Sequence, residues 1–383
     1  MNYFFDYITV LKNNKTGLCD ALYYEENNSF MIYKMGELFC GPGGLAWGAM
    51  NADIEDSNTK IVHAWANDID PLTCQTYSHN ICKDDYAETV ICQDVRELDI
   101  SRQNLSDIDA FSFGFPCNDF SIVGEQKGIN GNYGALYTYG IKVLKIFQPQ
   151  WFLAENVGGL SSANEGTAFK KILADLQSVG YKIFPHLYKF EEYGVPQSRH
   201  RIIIVGIRED LPQNFNPPST EQYKDEDISV RTALNVPPID EWAFNHEIPF
   251  MSDKVAERLK YIKPGQNAFN SDLPEDMKLN VKGAKISQIY KRLDPDKPAY
   301  TVTGSGGGGT HMYHYEELRA LTNRERARLQ TFPDDYEFFG TREKVRRQIG
   351  MAVPCKGAKI IFEAILRTMN NIDYDFVPCN IKI

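Results

Sequence analysis

The 383-residue sequence lacks several features that would place it in a specialised class of protein. No apolar run approaches the roughly 18 residues of a membrane span, and the first residues, with Asp6 and Lys12 among mixed neighbours, show no signal-peptide pattern. Internal repeats are absent, and the one low-complexity stretch is the glycine run at 306–309. These absences argue against a membrane protein and a repeat protein, and they predict a cytoplasmic location.

The chain is also poor in metal-binding and disulfide patterns. Its eight cysteines include no Cys-x-x-Cys pair, and none of them has the spacing that is typical of a zinc site. We therefore expect neither a bound metal nor disulfide bonds.

An excess of positive charge is missing as well, since the net charge is −10. This value argues against indiscriminate adhesion to nucleic acid, but it allows a locally basic surface. Residues 253–298 contain ten Lys or Arg against seven Asp or Glu, and residues 319–347 contain eight against five. On these counts a solvated mixed-charge surface and a phosphate-facing surface remain equally good interpretations.

What the chain does have is an alternation of short apolar runs with amphipathic stretches between residues 35 and 208, which predicts a doubly wound α/β sheet. With 43% hydrophobic residues the chain can bury a large core, and its length suggests two domains. The predicted strands are 36–39, 61–66, 89–92, 110–113, 151–154 and 202–207.

The sequence pattern changes after residue 209, since seven prolines between residues 212 and 264 interrupt a polar region with few periodic stretches. We interpret 35–210 as a first domain, 211–315 as a second, loop-rich domain, and 316–383 as a return to the first. Thr322-Asn323-Arg324-Glu325 fits a capping box and predicts a helix that ends near Thr331. A final helix should begin near Pro354, whereas residues 1–34 carry no motif that we can interpret.

A single cysteine stands at a position suited to chemistry. Phe115-Pro116-Cys117 follows the predicted strand at 110–113, so the thiol lies in a loop just beyond a strand end. In open α/β sheets, loops at the carboxyl ends of strands are where ligands collect. The alternative is a buried cysteine that packs as a small hydrophobic residue.

Two further polar groups adjoin predicted strands. Glu155-Asn156 follow the run 151–154, and Arg199 and Arg201 adjoin the run at 202–207. We interpret each group as ending a strand-like run, which predicts that cysteine, carboxylic acid and arginines meet at one rim of the sheet. A capping turn and a salt-bridged surface strand are the structural alternatives.

A glycine-rich turn predicts a ligand pocket. Gly41-Pro42-Gly43-Gly44 stands between a strand and a helix that should begin near Leu45, where backbone can approach a ligand closely. Asp68 follows Gly44 by 24 residues, near the offset at which an acid binds ribose hydroxyls. A nicotinamide enzyme is an alternative, although the turn lacks the G-x-G-x-x-G spacing.

These motifs, with Phe39-Cys40 before the turn and Gln348-Ile349-Gly350-Met351-Ala352-Val353-Pro354 near the end, closely resemble the DNA (cytosine-5)-methyltransferase family. The resemblance extends from about residue 35 to about residue 366. It implies a Rossmann-like S-adenosylmethionine-dependent methyltransferase sheet with a smaller target-recognition domain. It also implies methyl transfer to C5 of a flipped-out cytosine in double-stranded DNA.

The resemblance assigns roles to the residues at the rim. Cys117 is expected to add to C6 of the cytosine, Glu155 to contact N3 and the 4-amino group, and Arg201 to contact O2. Arg199 and Arg201 should supply the positive surroundings that favour a thiolate. Asn156 should orient the loop that contains Glu155.

The resemblance also assigns the pocket for S-adenosylmethionine. Phe39 should pack against the ligand, Asp68 should bind ribose, Ile69 should cover the adenine, and Asp94 should accept a hydrogen bond from its amine. The remaining positions assigned to this pocket are Gly41, Gly43, Gly44, Pro116, Leu136 and Val353.

Contacts to DNA are implied at two places. Residues 121–137 form a glycine-rich loop that could close over DNA, in which Ser121 and Lys127 are the expected contacts. Thr301 and Val302 should lie beside the flipped cytosine, and residues 304–313 should enter the major groove.

Three positions depart from the family pattern, namely Asn118 in place of glutamine, Tyr133 in place of arginine, and Met351 in place of asparagine. An RNA cytosine methyltransferase acting on a tRNA loop and a catalytically inactive DNA-binding homologue are alternatives. We expect a monomer that binds DNA and no membrane. The sequence leaves open whether a restriction endonuclease is its genetic partner.

Overall fold

The computed structural model describes residues 31–55, 57–83, 87–116, 136–161, 166–279, 287–304, 306 and 308–382. Cys117, Ser121 and Lys127 lie outside the described residues, and so do Asn118 and Tyr133. The contacts proposed for these five side chains therefore stay predictions.

A seven-stranded sheet forms the centre of the protein, with the strand order β3-β2-β1-β4-β5-β8-β6. Strands β1 to β5 pair in parallel, whereas β8 runs antiparallel to β5 and to β6. Two further strands, β7 and β9, form a separate parallel pair. The strands are β1 (Met31–Leu38), β2 (Thr59–Asp68), β3 (Val90–Cys92), β4 (Ala110–Gly114), β5 (Trp151–Val157), β6 (Tyr181–Lys189), β7 (Gln197–Ser198), β8 (His200–Arg208) and β9 (Ala299–Tyr300).

Helices cover both faces of the sheet. Helices α3 and α4 pack on one face and α1 and α9 on the other, each over its own cluster of buried apolar side chains. The helices are α1 (Gly44–Met50), α2 (Pro71–Tyr77), α3 (Tyr137–Phe147), α4 (Thr167–Gln177), α5 (Val230–Asn235), α6 (Asp253–Lys260), α7 (Asn323–Leu329), α8 (Arg342–Met351) and α9 (Cys355–Met369). Among the described residues, none of the helices combines the length and the apolar character that crossing a bilayer requires.

The strand order creates a switch point between β1 and β4. From β1 the chain proceeds to β2 and β3 on one side, whereas β4 and β5 lie on the other side. Ligands of open α/β sheets bind in the crevice at such a point, at the carboxyl ends of the strands. The glycine turn after β1 and Phe115-Pro116 after β4 both lie at this crevice.

Several sequence predictions are confirmed. Each of the six predicted runs overlaps a strand of the sheet, and α1 begins at Gly44 beside the predicted Leu45. The capping box is present, because the Thr322 hydroxyl accepts from the Glu325 N–H at 3.1 Å and the Glu325 carboxylate accepts from the Thr322 N–H at 2.7 Å. The last helix begins at Cys355 and packs against α1.

One prediction about strand direction was wrong. We expected Arg199 and Arg201 to end a strand-like run, but Arg201 lies near the start of β8, which runs antiparallel to β5. The start of an antiparallel strand lies at the same rim as the ends of its parallel neighbours, so Arg201 reaches the predicted edge in the opposite chain direction. Strand β6 was not predicted, because Pro185 and two lysines interrupt its apolar pattern.

A third buried cluster joins the later segments to the sheet. It includes Cys40 and Tyr77 near the glycine turn, Val230 and Leu293 from the loop-rich region, and Leu329 from α7. The loop-rich region is thereby fixed against the glycine turn.

Candidate active site

Glu155 and Arg201 form a largely buried ion pair at the rim of the sheet. In the antiparallel pairing of β5 with β8, Arg201 is the partner of Val157, two residues beyond Glu155. The Nε of Arg201 lies 2.8 Å from Oε1 of Glu155, and each side chain is only 13% exposed. Burial raises the pKa of Glu155, while the positive charges of Arg201 and Arg199 oppose this rise. The sequence prediction that these two residues meet is confirmed.

Asn156 joins the glutamate strand to the chain segment that precedes Cys117. Its Nδ2 donates to the carbonyl of Phe115 at 2.9 Å, and its Oδ1 accepts from the N–H of Val157 at 2.9 Å. Gly114 is the partner of Glu155 in the parallel pairing of β4 with β5. A Cβ at Gly114 would lie 3.3 Å from Oε2 of Glu155, so the absence of a side chain there leaves room for the carboxylate.

Arg199 lies inside the protein and not in the cleft. It is fully buried, and its two terminal nitrogens donate to the carbonyls of Val302 at 2.9 Å and Gly350 at 3.0 Å. Burial and the neighbouring charge of Arg201 lower the pKa of its guanidinium. The residue clamps the segment after β9 to helix α8, which is a positioning role.

A cavity of about 410 Å³ opens beside the ion pair. Thr301 lines it, and the Thr301 hydroxyl donates to the carbonyl of Ser198 at 2.6 Å. Val302 is completely buried and does not line the cavity, so of the predicted pair only Thr301 faces this space. The lining residues are Val157, Gly158, Gly159, Leu187, Ser198, His200, Arg201 and Thr301.

Sequence analysis missed a buried amide network beneath the cavity. The Gln197 side chain accepts from the Val302 N–H at 3.0 Å and donates to the Leu329 carbonyl at 2.7 Å and to Oε1 of Gln330 at 2.8 Å. Gln330 in turn donates to the Ile349 carbonyl at 2.7 Å. These contacts fix Thr301 relative to α7 and α8. The only sequence signal was the position of Gln197 beside the arginine pair.

Sequence analysis also missed His200 and Glu191 at the mouth of the cavity. The Nε2 of His200 lies 2.7 Å from Oε1 of Glu191, and the other oxygen of this carboxylate accepts from the Arg199 N–H at 3.1 Å. Glu191 therefore holds the start of β8 in place.

The glycine turn after β1 is packed on one side and open on the other. The Cβ of an alanine at Gly44 would lie 2.3 Å from the Val353 carbonyl oxygen, and one at Gly43 would lie 2.7 Å from the Tyr336 hydroxyl oxygen. At Gly41, with a φ of +56°, no heavy atom lies within 4 Å of that position. The open side of the turn is therefore at Gly41.

The two acids predicted for this pocket form hydrogen bonds with residues of the loops that surround it. Asp68 accepts from the N–H groups of Gly41 and Asp70, each at 3.0 Å, and burial raises its pKa. Asp94 lies beyond the neighbouring strand β3, and its Oδ1 accepts from Nε of Arg96 at 2.9 Å, an interaction that lowers the pKa of Asp94.

The apolar residues predicted for the pocket divide into exposed and buried groups. Ile69 lies directly after β2 and is 63% exposed, although its side chain is apolar. Phe39 and Leu136 both pack in the cluster that includes Phe115, and Pro116 is partly exposed. Val353 is buried behind the glycine turn.

Glu37 is a buried acid behind the turn that sequence analysis did not select. Its carboxylate accepts from the Tyr77 hydroxyl at 3.1 Å, and burial raises its pKa to about 8. The Tyr77 oxygen also lies 3.3 Å from Nδ1 of His63. No local sequence pattern indicates this network, because Glu37 occupies an ordinary strand position next to Leu38.

The part of the chain that the structure describes contains no group of three or more His, Cys, Asp or Glu side chains that could hold a metal ion. The six described cysteines are free thiols.

Comparison with known proteins identifies the family. Residues 33–367 match the model of the C-5 cytosine-specific DNA methylase family. The chain is 59% identical over 353 residues to the type II methyltransferase M.BbvI of Brevibacillus brevis, covering 90% of this chain and 93% of the relative. It is 36% identical over 361 residues to the type II methyltransferase M.NgoFVII of Neisseria gonorrhoeae, covering 93% and 92%.

A solved structure shares the fold. It is a protein described as a DNA modification methyltransferase encoded within an Escherichia coli prophage, with a TM-score of 0.67 and 24% identity over 88% of this chain and 99% of that one. The mostly parallel sheet of this chain is thus the fold of a known methyltransferase structure. The chain belongs to the C-5 cytosine-specific DNA methylase family, and its activity is that of a DNA (cytosine-5-)-methyltransferase.

Proposed function

We propose that this methyltransferase uses S-adenosylmethionine to methylate C5 of cytosine within a specific sequence of double-stranded DNA, through a covalent bond between Cys117 and C6. The observation that carries the proposal is the largely buried Glu155–Arg201 pair beside the 410 Å³ cavity. Asn156 ties this pair to Phe115, and Pro116-Cys117 follow directly in the chain. Acid, arginine and the approach to the thiol thus belong to one hydrogen-bonded unit.

The proposed chemistry overcomes the poor nucleophilicity of cytosine C5. The Cys117 thiolate adds to C6, and the electrons of the C5–C6 double bond move to C5, which accepts the methyl group. A base then removes the C5 proton, the C5–C6 double bond re-forms, and the sulfur leaves as thiolate. An unperturbed cysteine is only about 3% thiolate at pH 7, so the positive charge of Arg201 would favour the reactive form.

Glu155 is proposed to act on the pyrimidine edge. Electron flow from C6 toward N3 builds negative charge on the ring, and a carboxyl group that donates or shares a proton at N3 would stabilise that charge. The raised pKa of Glu155 supports this role, because burial favours the protonated form. Arg201 would orient Glu155 through their 2.8 Å contact and donate to O2 of the base.

The cavity is proposed to receive the flipped nucleotide. C5 and C6 are inaccessible inside a duplex, so the base must leave the stack at a cost of a few kcal/mol. Thr301 faces the space and is held by Ser198 and by the network around Gln197. Ser121 and Lys127 are proposed to contact the DNA backbone from the loop that follows Cys117.

The residues around the glycine turn fit S-adenosylmethionine. When bound, this cofactor supplies a methyl group on an electrophilic sulfonium. The open side at Gly41 lets backbone approach a ligand, and the exposed Ile69 offers an apolar surface for the adenine. Asp68 and Asp94 each retain acceptor capacity for ribose hydroxyls and for the adenine amine.

Three other assignments complete the proposal. The chain is proposed to act as a monomer, with residues 211–315 as the target-recognition domain between the two parts of the catalytic domain. Met351, which replaces a family asparagine, is 51% exposed at the end of α8. A restriction endonuclease that cuts the same sequence is the proposed genetic partner.

Bisulfite sequencing of DNA from a methylation-free host that expresses this chain tests the proposal. We expect cytosines within one short recurring sequence to resist conversion, and the Cys117→Ala variant to leave them convertible. Fully convertible DNA would contradict the proposal. Bisulfite sequencing of tRNA from the same cells is the matched control. Cytosines that are protected in tRNA but not in DNA would indicate an RNA substrate.

A further inference from the structure

A second cavity, of about 250 Å³, lies between helices α7 and α8 and the loop before α6. Its walls include Arg326, Arg342, Arg346, His311, Glu247 and Phe250, and we refer to this space as the arginine pocket. The proposed reaction assigns no role to these residues.

Arg326 is the most unusual side chain of the pocket. It is only 2% exposed, and among the described residues its guanidinium has no hydrogen bond and no ion pair. The other arginines of α7 are satisfied, since Arg324 donates to the carbonyls of Pro333 and Tyr336 and Arg328 pairs with Asp334. A buried charge without a partner is costly, which indicates that an anion completes the site.

The surroundings of Arg326 add positive charge. Nη2 of Arg346 donates to the Gly306 carbonyl at 2.6 Å, whereas the buried Nε of Arg346 has no partner. Burial and the charges of Arg326 and Arg346 lower the pKa of His311 to about 4, so this imidazole is neutral at pH 7. Glu247 is the one acid among the pocket-lining residues that the structure describes, and it is exposed.

The shape and chemistry of the arginine pocket favour a phosphodiester group. Arginine forks match the oxygens of phosphate, and the three arginines present more donors than a single carboxylate could satisfy. Arg342 and Phe250 are exposed at the mouth, Phe250 by 89%, so the pocket opens to large molecules.

The position of the pocket indicates where the phosphate comes from. His311 and Gly306 belong to the segment that follows Thr301, which is expected to enter the major groove. We propose that the arginine pocket binds one backbone phosphate of the substrate DNA, with Arg326 and Arg346 as its main ligands. This proposal rests on the proposed function, because that function makes duplex DNA the substrate. A phosphate contact carries no sequence information, so the pocket would set the register of the recognition segment on the duplex.

Salt-dependent DNA binding tests the proposal. Arg326→Ala, Arg346→Ala and Arg342→Ala are compared with the wild type on a duplex containing the methylated sequence and on a shuffled duplex. We expect each variant to bind both duplexes about tenfold more weakly, as removal of a charge-assisted hydrogen bond predicts. The plot of log affinity against log salt should become shallower by about one unit for each phosphate that the variant no longer neutralises.

Lys171→Ala is the matched control for removal of a positive charge. Lys171 is exposed on α4 in an ion pair with Asp175, and its substitution should leave the salt slope unchanged. Arg342 is exposed, so its substitution tests the pocket even if Arg326→Ala fails to fold. The proposal would be overturned if the plot of log affinity against log salt had the wild-type slope in all pocket variants. Weaker binding confined to the duplex with the methylated sequence would overturn it too, in favour of a base contact.

A methylphosphonate scan locates the phosphate. Replacing one phosphate at a time by the neutral analogue should weaken wild-type binding at one position where Arg346→Ala shows no further weakening. Equal effects on wild type and variant at every position would contradict the pocket assignment. If wild-type protein methylates DNA while the variants bind normally, only this inference fails; if wild type leaves every cytosine unmethylated, the proposed function fails.

Discussion

The Nε of Arg201 lies 2.8 Å from Oε1 of Glu155, although the two residues come from strands that run in opposite directions. Burial alone would drive the carboxyl toward its neutral form, and the nearby guanidinium opposes that change. The pKa of this carboxyl is therefore raised, although the two arginines limit the rise. A raised pKa favours the protonated form, which is the form that can share a proton with a pyrimidine nitrogen.

Substitution of Glu155 by glutamine keeps the shape of the side chain but removes its ability to exchange a proton, so it tests the two contributions separately. We expect Glu155→Gln to keep DNA binding within a few fold and to lower kcat by roughly 10²- to 10⁴-fold, the usual contribution of general acid–base catalysis. Because burial raises the pKa, the protonated carboxyl persists below the folded-state value and is lost as the pH rises through it. The wild-type kcat profile should show this alkaline decline, and the variant should not. A variant with the same decline and a near-normal kcat would contradict the role.

The two arginines should differ in what they affect. Arg199→Lys leaves one of the carbonyls of Val302 and Gly350 unpaired in the interior, which should cost roughly 1–3 kcal/mol of unfolding free energy. Arg201→Lys keeps a positive charge beside Glu155 and should lower kcat with little change in Tm. Thermal unfolding and single-turnover rates of both variants measure this contrast. An equal drop in Tm in both would show that Arg201 is structural.

The two sides of the glycine turn predict opposite effects of an added methyl group. Gly44→Ala would place Cβ 2.3 Å from the Val353 carbonyl oxygen, and such overpacking should cost about 1–3 kcal/mol of stability. Gly41→Ala meets no atom, so it should cost only the strain of a positive φ, about 1–2 kcal/mol, and should mainly weaken cofactor binding. Calorimetric titration with S-adenosylmethionine and urea unfolding distinguish them. Normal cofactor affinity in Gly41→Ala would place the ligand elsewhere.

Glu37 predicts a pH dependence of stability. Its pKa is raised from an ordinary 4.5 to about 8, chiefly by burial, with Asp68 nearby adding to the rise. Between these two values the folded state holds a proton that the unfolded state releases. This contribution is fully present below about pH 4.5 and is lost as the pH rises to about 8, by at most about 1.4 kcal/mol per pH unit.

Urea unfolding of the wild type and of Glu37→Gln between pH 6 and pH 8 measures this contribution. Glutamine does not titrate, so the wild type should lose stability relative to the variant as the pH rises. Parallel curves for the two proteins would show that Glu37 keeps the same charge in the folded and unfolded states.

Local patterns predicted the parts of the site that depend on neighbouring residues. The end of β2 at Asp68, the glycine turn before α1 and the capping box at Thr322 each follow from a few consecutive residues. The role of Arg199 does not, because its carbonyl partners lie 103 and 151 residues away in the chain. The antiparallel direction of β8 likewise depends on pairing with β5 and β6, which no local pattern encodes.

Counts of charged residues are limited in the same way, because they do not show which charges are paired in the folded protein. The basic segment 319–347 was interpreted as either a solvated or a phosphate-facing surface, but Arg319 pairs with Glu325 and Arg328 pairs with Asp334 inside the protein. Arg326, two positions from Arg328 on the same helix, has no such partner among the described residues. Only the packed structure separates arginines that hold the fold from those available to a ligand.

Trapping the covalent adduct tests the central claim most directly. In DNA whose target cytosine carries fluorine at C5, methyl transfer leaves no proton to remove, so the bond between sulfur and C6 should persist. Incubation with S-adenosylmethionine followed by mass spectrometry of the digested protein should find the nucleotide on the peptide that contains Cys117, and Cys117→Ser should yield none. An adduct at another residue, or methyl transfer by the Cys117→Ser variant at the wild-type rate, would contradict the claim.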